Sequence, residues 1–222
     1  PLCSRGLGDV YKRQVKLRLV RDDDMLITGK RHDFLVNYKI GHDADGLIMA
    51  ADIELSARCG WSSDLSRSVN DRALFHAENA YFIPSVRITS NRYKTHTVSN
   101  TAFRGFGGPQ GMMGIERCLD VIAKVTGKDP LDVRLLNLYG VSGRETPYGM
   151  SVDEHVLPEL IQRLADTSDY RSRRKEIDLE NGQSSRFRWG IALTPVKFGI
   201  SFTASFLNQA GALLNVYKDG SV

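Results

Sequence analysis

The chain has 222 residues, 41% of them hydrophobic and 25% charged, which is ordinary for a globular protein able to bury one or two cores. No apolar run approaches the roughly 20 residues that span a bilayer and no secretory-type leader opens the chain, so no membrane partner is expected and a cytoplasmic setting is. A pI near 9.0 raises nucleic acid as a partner, but the net charge is only +4, and residues 1–14 supply half of it through Arg5, Lys12 and Arg13 against Asp9.

Residues 1–14, PLCSRGLGDVYKRQ, show no hydrophobic period. They look like peptide translated from sequencing-adapter DNA and are set aside as a non-native segment, the alternative being a genuine flexible terminus. From Val15, the alternation of Val15, Leu17 and Leu19 with Lys16 and Arg18 predicts a half-buried strand. Asp22, Asp23 and Asp24 point in different directions and read as a solvated turn. Phe34 to Ile40, a turn at Asp43-Ala44-Asp45-Gly46, and Leu47 to Leu55 predict a hairpin.

Gly60 closes that sheet segment, and Ser62 to Ala80 reads as helix-rich, with Leu65, Val69, Ala73 and Leu74 on one side. Within it, Arg72 reads as a surface arginine or an ion-pair partner, and His76 as structural, because no second ligand stands at metal spacing. Pro84 to Val98 reads as extended chain. Met112, Ile115, Leu119, Ile122 and Val125 recur at helical spacing up to Gly127, and Asp129-Pro130 caps and starts a second helix with Val133, Leu136 and Leu138.

Residues 140–153 form a Gly/Ser/Pro-rich connection, Val156 to Leu164 returns to helix, and 169–181 reads as a solvated helix rather than a phosphate site. Phe187 to Ile200 and Leu213 to Tyr217 are strand-like, and Asp219-Gly220 is a hairpin turn whose return strand is expected beyond Val222, which points to a truncated chain. Cys3, Cys59 and Cys118 make no CxxC pair and read as buried or free thiols. The expected fold is α+β, with hairpin sheets at both ends and a helical middle.

Between the extended chain and the first long helix lies Thr101-Ala102-Phe103-Arg104-Gly105-Phe106-Gly107-Gly108-Pro109-Gln110. Glycines let consecutive N–H groups converge on an anion, and Pro109 suits the first position of a helix whose own free N–H groups would add to such a site. The loop therefore reads either as a cradle for an anionic group beside an aromatic face or as a tight turn entering a helix. It is not the dinucleotide fingerprint, because Gln110 stands where the third glycine would be.

This decapeptide, with Asp-Met-Leu-Ile-Thr-Gly at 24–29, Arg-Ala-Leu-Phe-His at 72–76, Lys-Phe-Gly-Ile-Ser-Phe-Thr at 197–203 and Phe-Leu-Asn-Gln-Ala-Gly-Ala at 206–212, resembles the large, molybdenum-binding portion of xanthine dehydrogenases from about Val15 to Val222. The resemblance implies a molybdenum hydroxylase of the α+β large-subunit type that inserts water-derived oxygen into hypoxanthine or xanthine. Its cofactor would be molybdenum–molybdopterin, and a [2Fe–2S] and FAD portion elsewhere, on the same or a partner chain, would pass electrons to NAD or oxygen. Oligomeric assembly is expected of the full enzyme. The three cysteines here have no iron–sulfur spacing.

Carried over by position, Phe103, Arg104 and Gly105 belong to the cofactor loop, with Arg104 at the molybdenum-cofactor site. Arg72, Phe106, Phe202 and Thr203 would bind the purine: Phe106 over its face, Phe202 edge-on, Thr203 through its hydroxyl and Arg72 at the far end. No catalytic base is assigned in this chain, since the family's general-base glutamate belongs beyond Val222 and a second substrate glutamate upstream of Val15. The chain alone is expected to be inactive and to bind cofactor weakly or not at all. Residues 15–150 are expected to be part of a first molybdopterin-binding subdomain, and 151–222 a helical connection and the start of the next. An aldehyde oxidase-type enzyme is the alternative within the superfamily, and a non-catalytic scaffold or a nucleic-acid-binding module outside it. The interspersed acidic residues argue against nucleic acid.

Overall fold

The computed structural model describes residues 16–141, 143–153, 156–183, 186–203 and 205–222. Helix α1 (Arg21–Ile27) is followed by strands β1 (Phe34–His42) and β2 (Ile48–Gly60), helix α2 (Ser66–Leu74) and strand β3 (Val86–Lys94). Helices α3 (Gly108–Thr126), α4 (Pro130–Asn137), α5 (Leu157–Thr167) and α6 (Tyr170–Gln183) follow, and then an irregular arm with one 3₁₀ turn, Ser205–Leu207. The class is α+β, as expected.

The sheet has order β1-β2-β3. β1 and β2 form the predicted antiparallel hairpin, pairing Phe34 with Ala57 and Tyr38 with Ile53. Asp43 shapes the turn by accepting from the N–H groups of Asp45 and Leu47, each at 2.9 Å. β3 pairs parallel to β2, with Ile53 opposite Ile88, so the chain must cross over between them and α2 lies in that crossover. Along β2, Ala51, Ile53, Leu55, Ala57 and Cys59 face inward at the strand period of two.

Helix α3 covers the hairpin and packs Ile115, Cys118, Leu119 and Ile122 into the same core, with Leu131 and Val133 of α4 beside them. Asn137 ties α4 to the hairpin turn: its Oδ1 accepts from Ile48 N–H at 2.8 Å and its Nδ2 donates to the Gly46 carbonyl at 2.9 Å. The predicted punctuation of these helices is present. Gly127 ends α3 at φ +67°, and the Asp129 side chain caps α4 by accepting from Leu131 N–H at 2.8 Å.

Four expectations are corrected. Residues 16–20 form no strand; Leu17 is 81% exposed, so the alternation there has no core to face, while Val15 and the 1–14 segment lie outside the described residues. Asp22, Asp23 and Asp24 make up the first turn of α1, where carboxylates favour the positive end of the helix. Residues 187–200 and 213–217 carry no strand, so the second hairpin sheet is absent among the described residues. The turn that would have joined its strands does form: Tyr217 N–H donates to the Ser221 carbonyl at 2.9 Å, and Gly220 has φ +83°.

Candidate functional site

The glycine loop is built as a bend against α2. Gly105 and Gly107 have φ +91° and +102°, and between them Phe106 is held at φ +52°, a region that costs a non-glycine residue about 1–2 kcal/mol. Its place is set from both sides: Phe106 N–H donates to the Phe103 carbonyl at 2.7 Å, and Gly108 N–H to Gly105 at 2.9 Å. A Cβ on Gly107 would collide with the Val69 carbonyl of α2, so close backbone contact fixes the loop there.

Arg31 closes the other side of the loop. Its Nη2 donates to the Arg104 carbonyl at 2.6 Å and its guanidinium lies 4.4 Å from the Phe103 ring centroid, while Thr101 N–H donates to the Lys30 carbonyl at 2.9 Å. The sequence reading missed Arg31, because its partner loop lies far along the chain.

The arm after Pro195 docks on α2 and the turn following it. Asn79 Nδ2 donates to the Pro195 carbonyl at 2.9 Å, and Asn79 Oδ1 accepts from Lys197 N–H at 3.0 Å. Lys197 Nζ meets Glu78 Oε1 at 2.6 Å, and Gly199 N–H donates to His76 Nε2 at 2.9 Å. Arg72 donates to the carbonyls of Gly199 and Ser201, and Thr203 Oγ1 stands 3.5 Å from the Ser68 carbonyl, the outer limit of a hydrogen bond. Alternate residues of the arm, 195 to 203, thus meet residues 79 down to 68 in reverse order. The strand-like period of 187–200 is real extended character, but the partners are side chains of a helix and a turn, so no ladder forms.

Several of these anchors are buried. Arg72 is 4% exposed, against the reading of it as a surface arginine, and burial lowers its pKa. Glu78 is wholly buried; burial pushes its carboxyl above the usual range while Lys197 pulls the other way. Burial, together with the charges of Arg72 and Lys197, holds the His76 imidazole below its ordinary value. The turn itself is braced from beneath, since Glu116 Oε1 accepts from Asn79 Nδ2 at 2.8 Å and from Tyr81 Oη at 2.7 Å, and its Oε2 pairs with Arg134 at 2.8 Å.

Loop and arm meet at two rings. The Phe106 and Phe202 centroids are 5.1 Å apart at 55°, and Phe198 packs beside them, its ring 4.9 Å from His76 and 5.1 Å from the Arg72 guanidinium. The structure therefore brings together Phe106, Phe202, Thr203 and Arg72 around the N-terminus of α3, with Phe103, Arg104 and Gly105 on the loop leading into it. Phe198, Lys197, Glu78 and Asn79 hold the arm in this cluster and were not singled out from the sequence, although the alternation of the arm carried the signal.

Among the described residues, the backbone N–H groups of Arg104, Gly105 and Gly107 donate to no acceptor in the chain, and Arg31 Nη1 is buried without a partner. The Arg104 side chain is exposed and forms no ion pair with a described carboxylate. A set made up of donors suits an acceptor-rich, anionic group better than a cation. No cluster of three or more His, Cys, Asp or Glu side chains suited to a metal ion occurs among the described residues. Cys59 and Cys118 are free and buried, and burial pushes the Cys118 thiol up to about 12, so it is inert. A cleft of about 540 Å³ lies elsewhere, lined by Trp61, Ser62, Arg67, Asp71, Arg92 and Lys94, and includes none of the predicted site residues.

The glycine loop thus enters a helix with an aromatic pair and a buried arginine beside it. The chain belongs to the molybdopterin cofactor-binding domain family: one family model of that description matches residues 7–138 and a second matches 163–222. The first match begins inside the segment 1–14.

Among curated proteins, the chain is 48% identical to xanthine dehydrogenase of Drosophila subobscura over 211 residues and 46% identical to xanthine dehydrogenase 1 of Arabidopsis thaliana over 213 residues. These alignments cover 95% and 96% of this chain but only 16% of each relative, so the chain spans about a sixth of the length of the proteins it matches. Among solved structures, the aldehyde oxidoreductase of Desulfovibrio gigas superposes with a TM-score of 0.62 at 28% identity, covering 68% of this chain and 16% of that one. No helix among the described residues is long and apolar enough to cross a membrane.

Proposed function

We propose that this chain forms the purine-contacting wall and part of the cofactor cradle of a xanthine dehydrogenase-type molybdenum hydroxylase, which oxidises hypoxanthine or xanthine towards urate with oxygen drawn from water. The observation that carries the reading is the meeting of Phe106 and Phe202 at 5.1 Å, between the donor-rich loop and the buried Arg72. The identity of 44–48% to xanthine dehydrogenases supports it.

In this reading Arg104, Gly105 and Phe103 hold the molybdopterin group through the free loop donors. When bound, the cofactor supplies the oxygen-transfer chemistry and accepts the two electrons of the substrate. The chain's own residues position the purine. Phe106 offers a ring face fixed by its strained backbone, Phe202 closes on the ring from the arm, and the Thr203 hydroxyl offers a hydrogen bond. Arg72 has five N–H donors and uses two on the arm, so it can hold the arm and still donate to a purine oxygen on which negative charge grows. The two rings touch, so a flat ligand enters by displacing Phe202 outwards on the arm.

The general base and the remaining cofactor contacts are assigned to other parts of the parent protein, and the 222-residue chain alone is expected to be inactive. In the full enzyme, electrons would pass through iron–sulfur and FAD groups to NAD or oxygen within an oligomer in the cytoplasm. Residues 15–150 and 151–222 would contribute to two successive molybdopterin-binding subdomains, a division that the two family matches support.

A second reading, an aldehyde oxidase-type enzyme, is favoured by the engagement of Arg72 with the chain's own carbonyls, and by the structural likeness to an aldehyde oxidoreductase. A substrate panel on the full-length enzyme separates the two. Turnover of hypoxanthine and xanthine is expected; turnover of aromatic aldehydes with none of either purine would overturn the purine reading.

A further inference from the structure

In the arm that carries Phe202 and Thr203, the Gly199 amide is held by one neutral side chain with two faces, from the turn that follows α2. His76 Nδ1 lies 2.8 Å from the Arg72 carbonyl, and His76 Nε2 lies 2.9 Å from the Gly199 nitrogen. A carbonyl can only accept and a backbone N–H can only donate. The imidazole must therefore carry its proton on Nδ1 and present a bare Nε2 to the arm. A second proton would convert that acceptor into a donor facing an N–H, and would add a positive charge beside Arg72 and Lys197.

We infer that His76 is a positioning residue: its neutral Nδ1–H form holds the Gly199 amide and, with Arg72 on the neighbouring carbonyls, sets the place of Phe202 and Thr203, and its protonation frees that amide and loosens the arm at Gly199. The charged and titratable groups around the ring come from every element packed on it. Arg72 belongs to α2, Lys197 lies on the arm, and Glu78, on the turn after α2, is held by Lys197. Phe198, its ring tilted at 46° to the imidazole and 4.9 Å away, is uncharged. Both cations oppose a protonated ring and the one nearby carboxylate is already paired; the bond to the Arg72 carbonyl favours the added charge, but burial outweighs it. Gly199 suits the site, because even a Cβ there would lie 3.6–3.8 Å from Arg72 and His76 in ordinary contact, so the pin rests on the hydrogen bond and not on a steric lock.

The inference rests on the proposed function only for what Phe202 and Thr203 touch; the release of the arm can be read directly. The test is amide hydrogen exchange of Gly199, as a protection factor, between about pH 8 and about pH 5. It is run on the 222-residue chain and on His76→Gln and His76→Phe, with the Ile115 and Leu119 amides of α3 as the folding control. Gln keeps an acceptor that does not titrate, whereas Phe keeps the ring and removes the acceptor.

The wild-type chain is expected to protect Gly199 about tenfold at the upper pH and to lose that protection towards the lower one, α3 staying protected. H76Q is expected to keep protection flat with pH, and H76F to lack it throughout. Absence of protection in the wild type, for whatever cause, overturns the inference, as does a fall with pH in H76Q that matches the wild type. If H76F also loses α3 protection, the H76Q profile alone decides. A full-length enzyme that turns over no purine would sink the proposed function and leave the exchange result standing.

Discussion

Phe106 and Phe202 face one another at 5.1 Å and 55°, although one stands on a strained loop before a helix and the other on an irregular arm. The loop ring is fixed by its backbone; the arm ring is held through its neighbours, with Asn208 Oδ1 accepting from Phe202 N–H at 2.7 Å. The two should therefore respond differently to truncation. An aromatic pair contributes about 0.5–1.5 kcal/mol beyond burial, so Phe202→Ala in the full-length enzyme is expected to raise KM for a purine roughly two- to tenfold. Steady-state kinetics checks this, and an unchanged KM would remove Phe202 from the substrate wall.

Gly107 and Gly127 both sit at positive φ, yet only one has a neighbour. Nothing lies within 4 Å of where a Gly127 Cβ would be, so Gly127→Ala is expected to cost only the left-handed backbone penalty, about 1–2 kcal/mol. At Gly107 the Val69 carbonyl occupies the place of the Cβ, and Gly107→Ala must also push the loop off α2. Its expected cost is about 3 kcal/mol or more. Urea unfolding of the two variants side by side tests the order, and equal costs would mean that the loop does not pack on α2.

Why some elements were legible and others not follows from where their partners lie. The Asp43–Gly46 turn, the Gly127 stop and the Asp129 cap are set by residues within a turn of one another, and each is found where local chemistry puts it. Phe187 to Ile200 is strand-like in sequence, yet no strand lies beside it; from residue 195 onwards its partners are Arg72, His76, Glu78 and Asn79. Arg72 itself reads locally as a surface residue and is buried only because that arm returns to cover it. The loop residues 103–106 are singled out through resemblance alone; their spacing by itself favours a tight turn entering a helix.

The Glu78–Lys197 pair makes a sharper test of the docked arm. Glu78 is buried and Lys197 keeps a side chain 17% exposed, so removing the carboxylate leaves a cation half stranded. Glu78→Ala is expected to destabilise the chain by about 2–4 kcal/mol, at the lower side of buried pairs because Lys197 can still reach water and the Tyr148 hydroxyl, 2.9 Å away. Replacing both, Glu78→Gln with Lys197→Met, is expected to recover much of that loss. A denaturant-derived double-mutant cycle with no coupling would show that the pair is not formed in solution.

The last expectation concerns pH. His32, 2% exposed and bound through Nε2 to the Ser66 hydroxyl at 2.7 Å, and His76 both have their pKa lowered chiefly by burial. A histidine held neutral by the fold binds fewer protons than in the unfolded chain, so stability rises with pH across the interval between its folded value and 6.5. Their contribution is complete above 6.5 and is lost as pH falls through the folded values. Glu78 acts in the opposite sense. Burial raises its pKa above 4.5, so its protonated form favours the fold below that value and its contribution is lost as pH rises through the folded one. The urea midpoint of the wild-type chain is expected to fall as pH drops below about 6.5, and His76→Gln should make that slope shallower without abolishing it, because His32 remains. With Glu78→Gln in the background to remove its opposing contribution, a midpoint that does not change below 6.5 would mean that neither imidazole is held neutral, and the neutral form that joins His76 to the arm would be wrong.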